Sequence, residues 1–460
     1  MTILAGLPAL FAILWIARKS CYRAYIDVYL FSVFLLPGWC RWPVPGAPDP
    51  TFHEAAILPI AGYYILKSPK TWRLSIGDVL IFLFALQMGW SEYTNAGYNE
   101  AQNLLFDVIA AGLFPYMLAK GLVVTPAQRI EFVKRIVWLL TILIFFFVYE
   151  FKFAYNPYRL IFDKFFPGQG DGWVTTFRYG FARTAGPYGH AILAGIVFMI
   201  GFHLQRWLER SGAWEARFKR INFGSLSKGR TLSIAMLAGI AMTMVRGPQI
   251  GAVLGSVVAA IGSTPNPKKR AGVVLAILIA VGIPAGIAMY SYASVGRAAA
   301  QTASQESAAY RKELIDKYVD IAEEHAMFGW GRNGWPKILG MPSIDNYYLL
   351  LALMHGIPAT ALLLTILFLM MARLLRNGLR AGGLKPIGSS LSFRLAGIYA
   401  GFAFAVLTVY MGDNVIPIFF TLTGFADGYL MANGDFSLKQ GITGPAAEAP
   451  VEPRFRTVLA

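Results

Sequence analysis

Five arginines set the chemistry open to this chain: Arg178, Arg183, Arg246, Arg297 and Arg311. Arg246 stands between two apolar runs, 231–245 and 250–262. A guanidinium there costs roughly 2.5–3.5 kcal/mol even on lenient insertion scales, so it is expected to face a cavity, a partner or an anion. Arg183 opens the segment Arg-Thr-Ala-Gly-Pro-Tyr-Gly-His at 183–190 and has the same character. The planar guanidinium fork fits phosphate and diphosphate oxygens, and its charge does not titrate away. Several of them beside a lipid boundary suit a polyanionic lipid head group, and neutralising a departing diphosphate is electrostatic catalysis. For any one arginine the alternative is an interfacial anchor or an ion pair with a loop carboxylate. The apolar settings of Arg246 and Arg311 favour the anion.

Asp345, within Ser-Ile-Asp-Asn at 343–346, is the candidate general base toward a hydroxyl. It is equally placed to N-cap the apolar stretch behind it, and one carboxylate can do both. Asn346, His190 and His325 are candidate polar contacts to the same ligand, the histidines as alternative proton acceptors. His355, about three turns into that stretch, is expected to pack or to bond internally. Asp316, Asp320, Glu323 and Glu324 resemble a metal set, but they share the polar arc of one helical stretch and read as a solvated face. The chain has no P-loop, and Gly-Trp-Gly-Arg-Asn-Gly at 329–334 lacks the strand–turn–helix context of a nucleotide motif. No metal, cofactor or nucleic acid is expected.

What must position these residues is a membrane bundle. The chain is 56% hydrophobic and 14% charged, with mean hydropathy +0.51, a balance no ordinary soluble domain of this length has. Apolar runs predict about 12–13 transmembrane helices, near 2–17, 25–40, 53–66, 76–90, 102–119, 132–149, 187–204, 231–246, 248–263, 271–290, 346–372, 395–411 and 414–432. The first reads as a span rather than a signal peptide, since no basic residue precedes it. Cys21 and Cys40 fall at opposite ends of the second span and cannot pair.

Alternating the spans puts 28 of the 41 basic residues in the loops of one side. The positive-inside rule makes that side cytoplasmic, which accounts for the net charge of +16 without invoking nucleic acid. The arginines named above then share the outward side, with two long loops, 150–186 and 291–343. The transmembrane domain occupies 1–433, and 434–460, rich in Gly, Pro, Ala and charge, reads as a disordered cytoplasmic tail. Within the second loop, 307–327 predicts an amphipathic helix lying on the interface or over the bundle. Arg311 and His325 interrupt its apolar arc, which aims Arg311 down toward the spans.

These motifs resemble the O-antigen polymerase and ligase superfamily of bacterial inner-membrane glycosyltransferases. The 183–190 segment is similar to that family's Arg-x-x-Gly-Pro-Phe-x-His-Pro signature, and Val-Arg-Gly-Pro-Gln at 245–249 to its Ser-Arg-Gly-Ala element. Arg311 followed by Phe-Gly-Trp-Gly at 328–331 matches an Arg…Pro-Leu-x-Gly-x-Gly pattern. Asp-Asn-Tyr-Tyr-Leu-Leu at 345–350, then Gly356, resembles a His-Asn-x-x-Leu…Glu-x-Gly element. The likeness covers about 175–365. It implies an all-α, type-C glycosyltransferase-like bundle in the inner membrane with its site facing the periplasm. The implied substrates are an undecaprenyl-diphosphate-linked glycan donor and a lipid-linked acceptor, with chain-length regulators or export proteins as candidate partners. Asp345 stands where the ligases carry histidine, and His355 where the family carries glutamate. The first departure leans toward polymerising exopolysaccharide, capsule or O-antigen repeats rather than transfer to lipid A core. A lipid-linked glycan flippase is the alternative from another class, but no repeated halves are visible in the sequence.

Overall fold

The computed structural model describes residues 2–67, 72–170, 174–218, 226–384, 386, 388–412 and 414–435. The chain opens with α1 (Leu7–Arg18), then α2 (Cys21–Ala24) and α3 (Leu30–Leu35) joined by a π-turn, then α4 (Phe52–Lys67) and α5 (Ile76–Ala96). Next come α6 (Tyr98–Val108) and α7 (Phe114–Leu122), joined by a second π-turn at Ile109–Leu113, and α8 (Pro126–Phe153) with the short α9 (Pro157–Phe162). The remainder is α10 (Ala191–Arg210), α11 (Lys228–Met242), α12 (Arg246–Ala260), α13 (Pro267–Ala293), α14 (Ala303–Glu324), α15 (Tyr347–Ala381), α16 (Leu391–Ala405) and α17 (Val415–Met431).

Each apolar run of the sequence has become a helical unit. Six units are long and apolar enough to cross a membrane: α6–α7, α8, α10, α13, α15 and α16 with its extension to Thr408. This is an all-α polytopic membrane protein. Of the other apolar units, α5 reaches 21 residues with a more polar composition, and the rest are shorter. α11 and α12, 15 residues each, rise about 22 Å apiece against a hydrocarbon core of about 30 Å. The chain turns between them at 243–245, next to Arg246.

Local chemistry sets the helix ends. Ser75 with Asp78, and Thr125 with Gln128, form reciprocal capping boxes, and Pro126 opens α8 where its missing N–H is harmless. The backbones of α12 and α16 touch through paired glycines. A Cβ on Gly251 would lie 2.8 Å from the Gly401 carbonyl, and one on Gly255 2.5 Å from that of Gly397. α10 is buried nearly all round and forms the centre of the bundle, whereas α13 is almost wholly exposed along its length.

α15 was expected as one continuous span and is a broken one, with two helices meeting at Gly356. Gly356 leaves helical geometry at φ +85, and Pro358 has no N–H to offer. The carbonyls freed upstream are taken by another part of the chain. Trp330 N donates to Leu353 O at 2.8 Å, Gly331 N to Met354 O at 2.9 Å, and Gln87 Nε2 to His355 O at 3.0 Å. Ile357 N returns the favour to Ala326 O at 2.7 Å. The glycine-rich run after α14 therefore serves as the missing turn of the broken helix.

Ion pairs join elements expected on one side. Lys120 meets Asp78 at 2.5 Å and Asp427 at 3.0 Å, and Asp427 also accepts from Arg373 at 2.7 Å, all at one end of the bundle. Arg41–Asp107 at 3.2 Å and Arg332–Glu92 at 3.1 Å lie at the other end. Of the expected tail, Asp435 is still packed, accepting hydrogen bonds from Ser390 and Tyr429, so order continues past 434. The rest of the tail, 436–460, lies outside the described residues. Both cysteines are buried and neither forms a disulfide.

Candidate active site

A small hairpin gathers the first arginines. β1 (Phe177–Arg178) pairs antiparallel with β2 (Phe181–Ala182) across Tyr179 and Gly180, whose φ values of +54 and +79 give the two-residue turn that suits strand twist. Arg178 Nη1 donates to the Met244 carbonyl at 2.9 Å, and Arg246 Nη2 donates to the Tyr179 hydroxyl at 2.9 Å. Thr184 N adds a bond to Met242 O at 3.3 Å. The hairpin is thus stitched to the turn between α11 and α12, where Met244 is itself left-handed at φ +52. Such backbone outliers concentrate at functional sites. Arg246, the first residue of α12, is exposed rather than sunk among apolar side chains, and no side chain caps that helix.

Arg183 follows the hairpin. Its backbone N donates to Thr176 O at 2.9 Å and its Nη1 to Thr176 Oγ1 at 3.3 Å, while its buried Nε has no partner. The turn behind it is held by Glu150, whose carboxylate accepts from Ala185 N at 3.1 Å and Gly186 N at 2.9 Å. Asn156 Nδ2 donates to Gly186 O at 2.9 Å. Gly186 is left-handed, and a Cβ there would sit 2.5 Å from the Phe147 ring, so no larger residue fits. The segment ends at His190, whose Nδ1 accepts from Ile192 N at 3.1 Å and caps α10. Glu150 was legible only as the edge of an apolar run; its one sequence signal is being the lone carboxylate there.

Arg311 and Asp345 arrive from the other long loop. α14 docks over the bundle through Leu314, Tyr318 and Ala322, packed on Met341, Ile344 and Leu353. Tyr310 Oη donates to Ser343 O at 2.5 Å, tying the helix to the segment that carries Asp345. Arg311 is half-buried, and its Nε has no partner. Asp345 is not the cap of α15. Asn346 Oδ1 takes that role, accepting from Tyr348 N at 3.0 Å and Leu349 N at 3.2 Å. Asp345 Oδ1 instead accepts from Ser343 Oγ at 2.9 Å.

These groups share one electrostatic field. Burial lowers the Arg183 pKa, the charges of Arg178 and Arg311 lower it further, and Asp345 opposes them. Burial also lowers that of Arg311, offset by Asp345 and reinforced by Arg178. His190 is pushed down to about 4, by burial first and Arg183 next, against Asp345. It is therefore neutral at pH 7. Arg178, Arg183 and Arg246 donate to neutral oxygens, so their charge is not consumed by any carboxylate among the described residues. Three coupled guanidiniums, a fourth joined through the hairpin and one carboxylate leave a strong positive excess, which suits an anion of more than one charge.

Two expected residues fall outside this cluster. Arg297 donates to Gly340 O at 3.0 Å and lies 5.2 Å from the Tyr310 ring, bracing the base of α14. His325 caps the C-terminal end of α14, so the apolar arc does not carry it inward; its ring centroid lies 3.7 Å from that of Trp330, the planes tilted by 34°. It stands 14 positions along from Arg311, about 21 Å of helix. His355 is buried in α15 with Nδ1 3.2 Å from Ser91 Oγ, an internal contact of the expected kind.

A many-spanned helical membrane protein with arginines gathered at one end of its bundle is the class that fold and site define. Residues 231–364 match the family model described as O-antigen ligase. The match, under a third of the chain, supports its likeness to the O-antigen polymerase and ligase superfamily, glycosyltransferase-like enzymes of membrane glycan processing. The matched stretch carries Arg246, Arg311 and Asp345, while Arg178, Arg183 and His190 lie before it. No curated protein matches the chain significantly.

Proposed function

We propose that the protein is a glycosyltransferase of the bacterial inner membrane that polymerises lipid-linked oligosaccharide repeats into a surface polysaccharide at the periplasmic face. The observation that carries this reading is that Arg183 and Arg311 each feel the charges of Arg178 and Asp345, with Arg178 and Arg246 bonded into the same hairpin and turn. The arginines hold the diphosphate of an undecaprenyl-linked donor. Asp345 accepts the proton of an acceptor sugar hydroxyl. The new bond forms between that oxygen and the donor's anomeric carbon as the carbon–oxygen bond to phosphate breaks. The lipid diphosphate leaves with the bonding pair, and its charge is matched by guanidinium groups already in place. Donor activation resides in the diphosphate, so the proposal needs no nucleotide at the site.

Transfer to lipid A core is the second reading, and it differs only in the acceptor. Deleting the gene and sizing the surface glycan separates them. Loss of long chains with single repeats retained supports the polymerase. Loss of all glycan from the core, with lipid-linked chains accumulating, supports the ligase. Unchanged surface glycan in the deletion sinks both.

A further inference from the structure

Behind the arginine cluster the bundle encloses a cavity of about 250 Å³, lined by α5, α6, α15 and α17 together with the segment before α17. It sits where two helices leave regular geometry. The π-turn at Ile109–Leu113 supplies Ala111 and Gly112 to its wall, and the break at Gly356 places His355 there. Wide turns of this kind inside helices are frequent at functional sites. Two of its lining residues neighbour the candidate active site. Tyr347 lines it two residues after Asp345, and Tyr410 lines it with its ring 6.3 Å from that of His190.

Its charges differ in kind from those outside. Arg41 is paired with Asp107 at 3.2 Å. Arg332 is paired with Glu92 and Glu100, each at 3.1 Å, and lies 3.8 Å from Asp107. Each guanidinium is already matched by carboxylate, so the chamber has no positive charge to spare for a phosphate. It offers carboxylate lone pairs, tyrosine and phenylalanine rings, and the buried His355 Nε2, which has no hydrogen-bond partner. Apolar walls with a few fixed polar groups describe a small-molecule site, and the volume falls just under the usual ~300–1,000 Å³. That is room for one ring rather than a whole repeat.

Resting on the glycosyl-transfer reading, we propose that this chamber is the acceptor subsite, taking a neutral, hydroxyl-rich terminal sugar and presenting its hydroxyl toward Asp345. Donor and acceptor are then sorted by charge: the phosphate-bearing end outside on free arginines, the uncharged ring inside on paired ones.

The test uses membranes holding the full-length chain, with radiolabelled lipid-linked repeats from the same cells as the probe. Ala111→Phe and Val108→Phe each fill the chamber without touching an arginine. In both, transfer is expected to fall at least about tenfold, while capture of the labelled donor stays within about twofold of the parent. Retained capture also shows that the variants are folded. Transfer at the parent rate in both variants overturns the subsite, as does loss of donor capture together with transfer in both. Arg311→Ala is run alongside to keep the two ideas apart. Parent-level transfer by Arg311→Ala sinks the glycosyl-transfer reading; its loss there, with normal transfer by both Ala111→Phe and Val108→Phe, sinks the chamber alone.

Discussion

Arg246 and Tyr179, 67 residues apart, share a 2.9 Å hydrogen bond that fixes the start of α12 to the tip of the hairpin. The phenol orients a guanidinium without neutralising it. Tyr179→Phe removes the bond and keeps the ring. An exposed hydrogen bond is worth about 0.5–1.5 kcal/mol, so transfer is expected to fall roughly two- to tenfold. Arg246→Ala is expected to cost considerably more. Equal rates for the parent and Tyr179→Phe, measured as chain elongation in membranes, refute the orienting role.

Arg311 makes no hydrogen bond among the described residues, and beyond the field of Asp345 its removal acts on the ligand. Arg311→Ala is expected to lower transfer about 10²–10³-fold, the scale of deleting one preorganised charge-stabilising donor. Arg311→Lys restores the charge but not the planar fork, and it is expected to recover only part of the rate. Protein level in membranes serves as the control. Full activity in the alanine variant is the contrary result.

The division of labour between Asp345 and Asn346 separates chemistry from stability. Asn346→Ala removes the cap of α15 and is expected to lower stability by about 1 kcal/mol. Asp345→Asn leaves that cap in place. It is expected to abolish most transfer with little change in the melting temperature of the detergent-solubilised protein. A large melting shift in Asp345→Asn, or normal transfer, contradicts the assignment.

His190 makes stability depend on pH. Its folded value of about 4 lies below the ordinary 6.5, so the unfolded chain takes up a proton that the folded one refuses. The stabilisation is complete above pH 6.5, is lost as pH falls from there toward 4, and changes no further below. His190→Asn keeps a capping side chain without the titration. Melting temperature followed from pH 7.5 to 4 is expected to fall less steeply in the variant. Parallel curves for the two proteins would show that His190 does not contribute.

The broken helix predicts an intolerant glycine. A Cβ on Gly356 would stand 2.4 Å from the Met327 carbonyl, and the backbone there is left-handed. Gly356→Ala is expected to reduce the amount of folded protein in membranes severely, because closing the break also evicts Trp330 and Gly331. Normal expression and transfer would mean that the break can be closed.

The bundle and the gathering at one end were readable from the sequence for one reason: a membrane restricts where loops can go. Once the spans alternate, Arg178, Arg183, Arg311 and Asp345 have to share an end, whatever their separation along the chain. What was hidden depends on single residues and on distant partners. Capping fell to Asn346 rather than Asp345, a shift of one position among residues equally suited to it. His325 was excluded because α14 stops one residue before it. The break at Gly356 is a Gly two places before a Pro, ambiguous alone, and it is completed by residues about 25 positions earlier. Arg332 and Glu92 were unremarkable in sequence because a charge pair 240 residues apart leaves no local pattern.

The turn contributed by 326–331 has a mechanical consequence for the outward helix. α14 is anchored downstream by backbone bonds inside a span, and upstream the nine residues 294–302 join it to α13. Its C-terminal end is therefore the fixed support, and any tilt of the helix has to pivot there. The hairpin, with two strands of two residues each, is the lightest structure beside it.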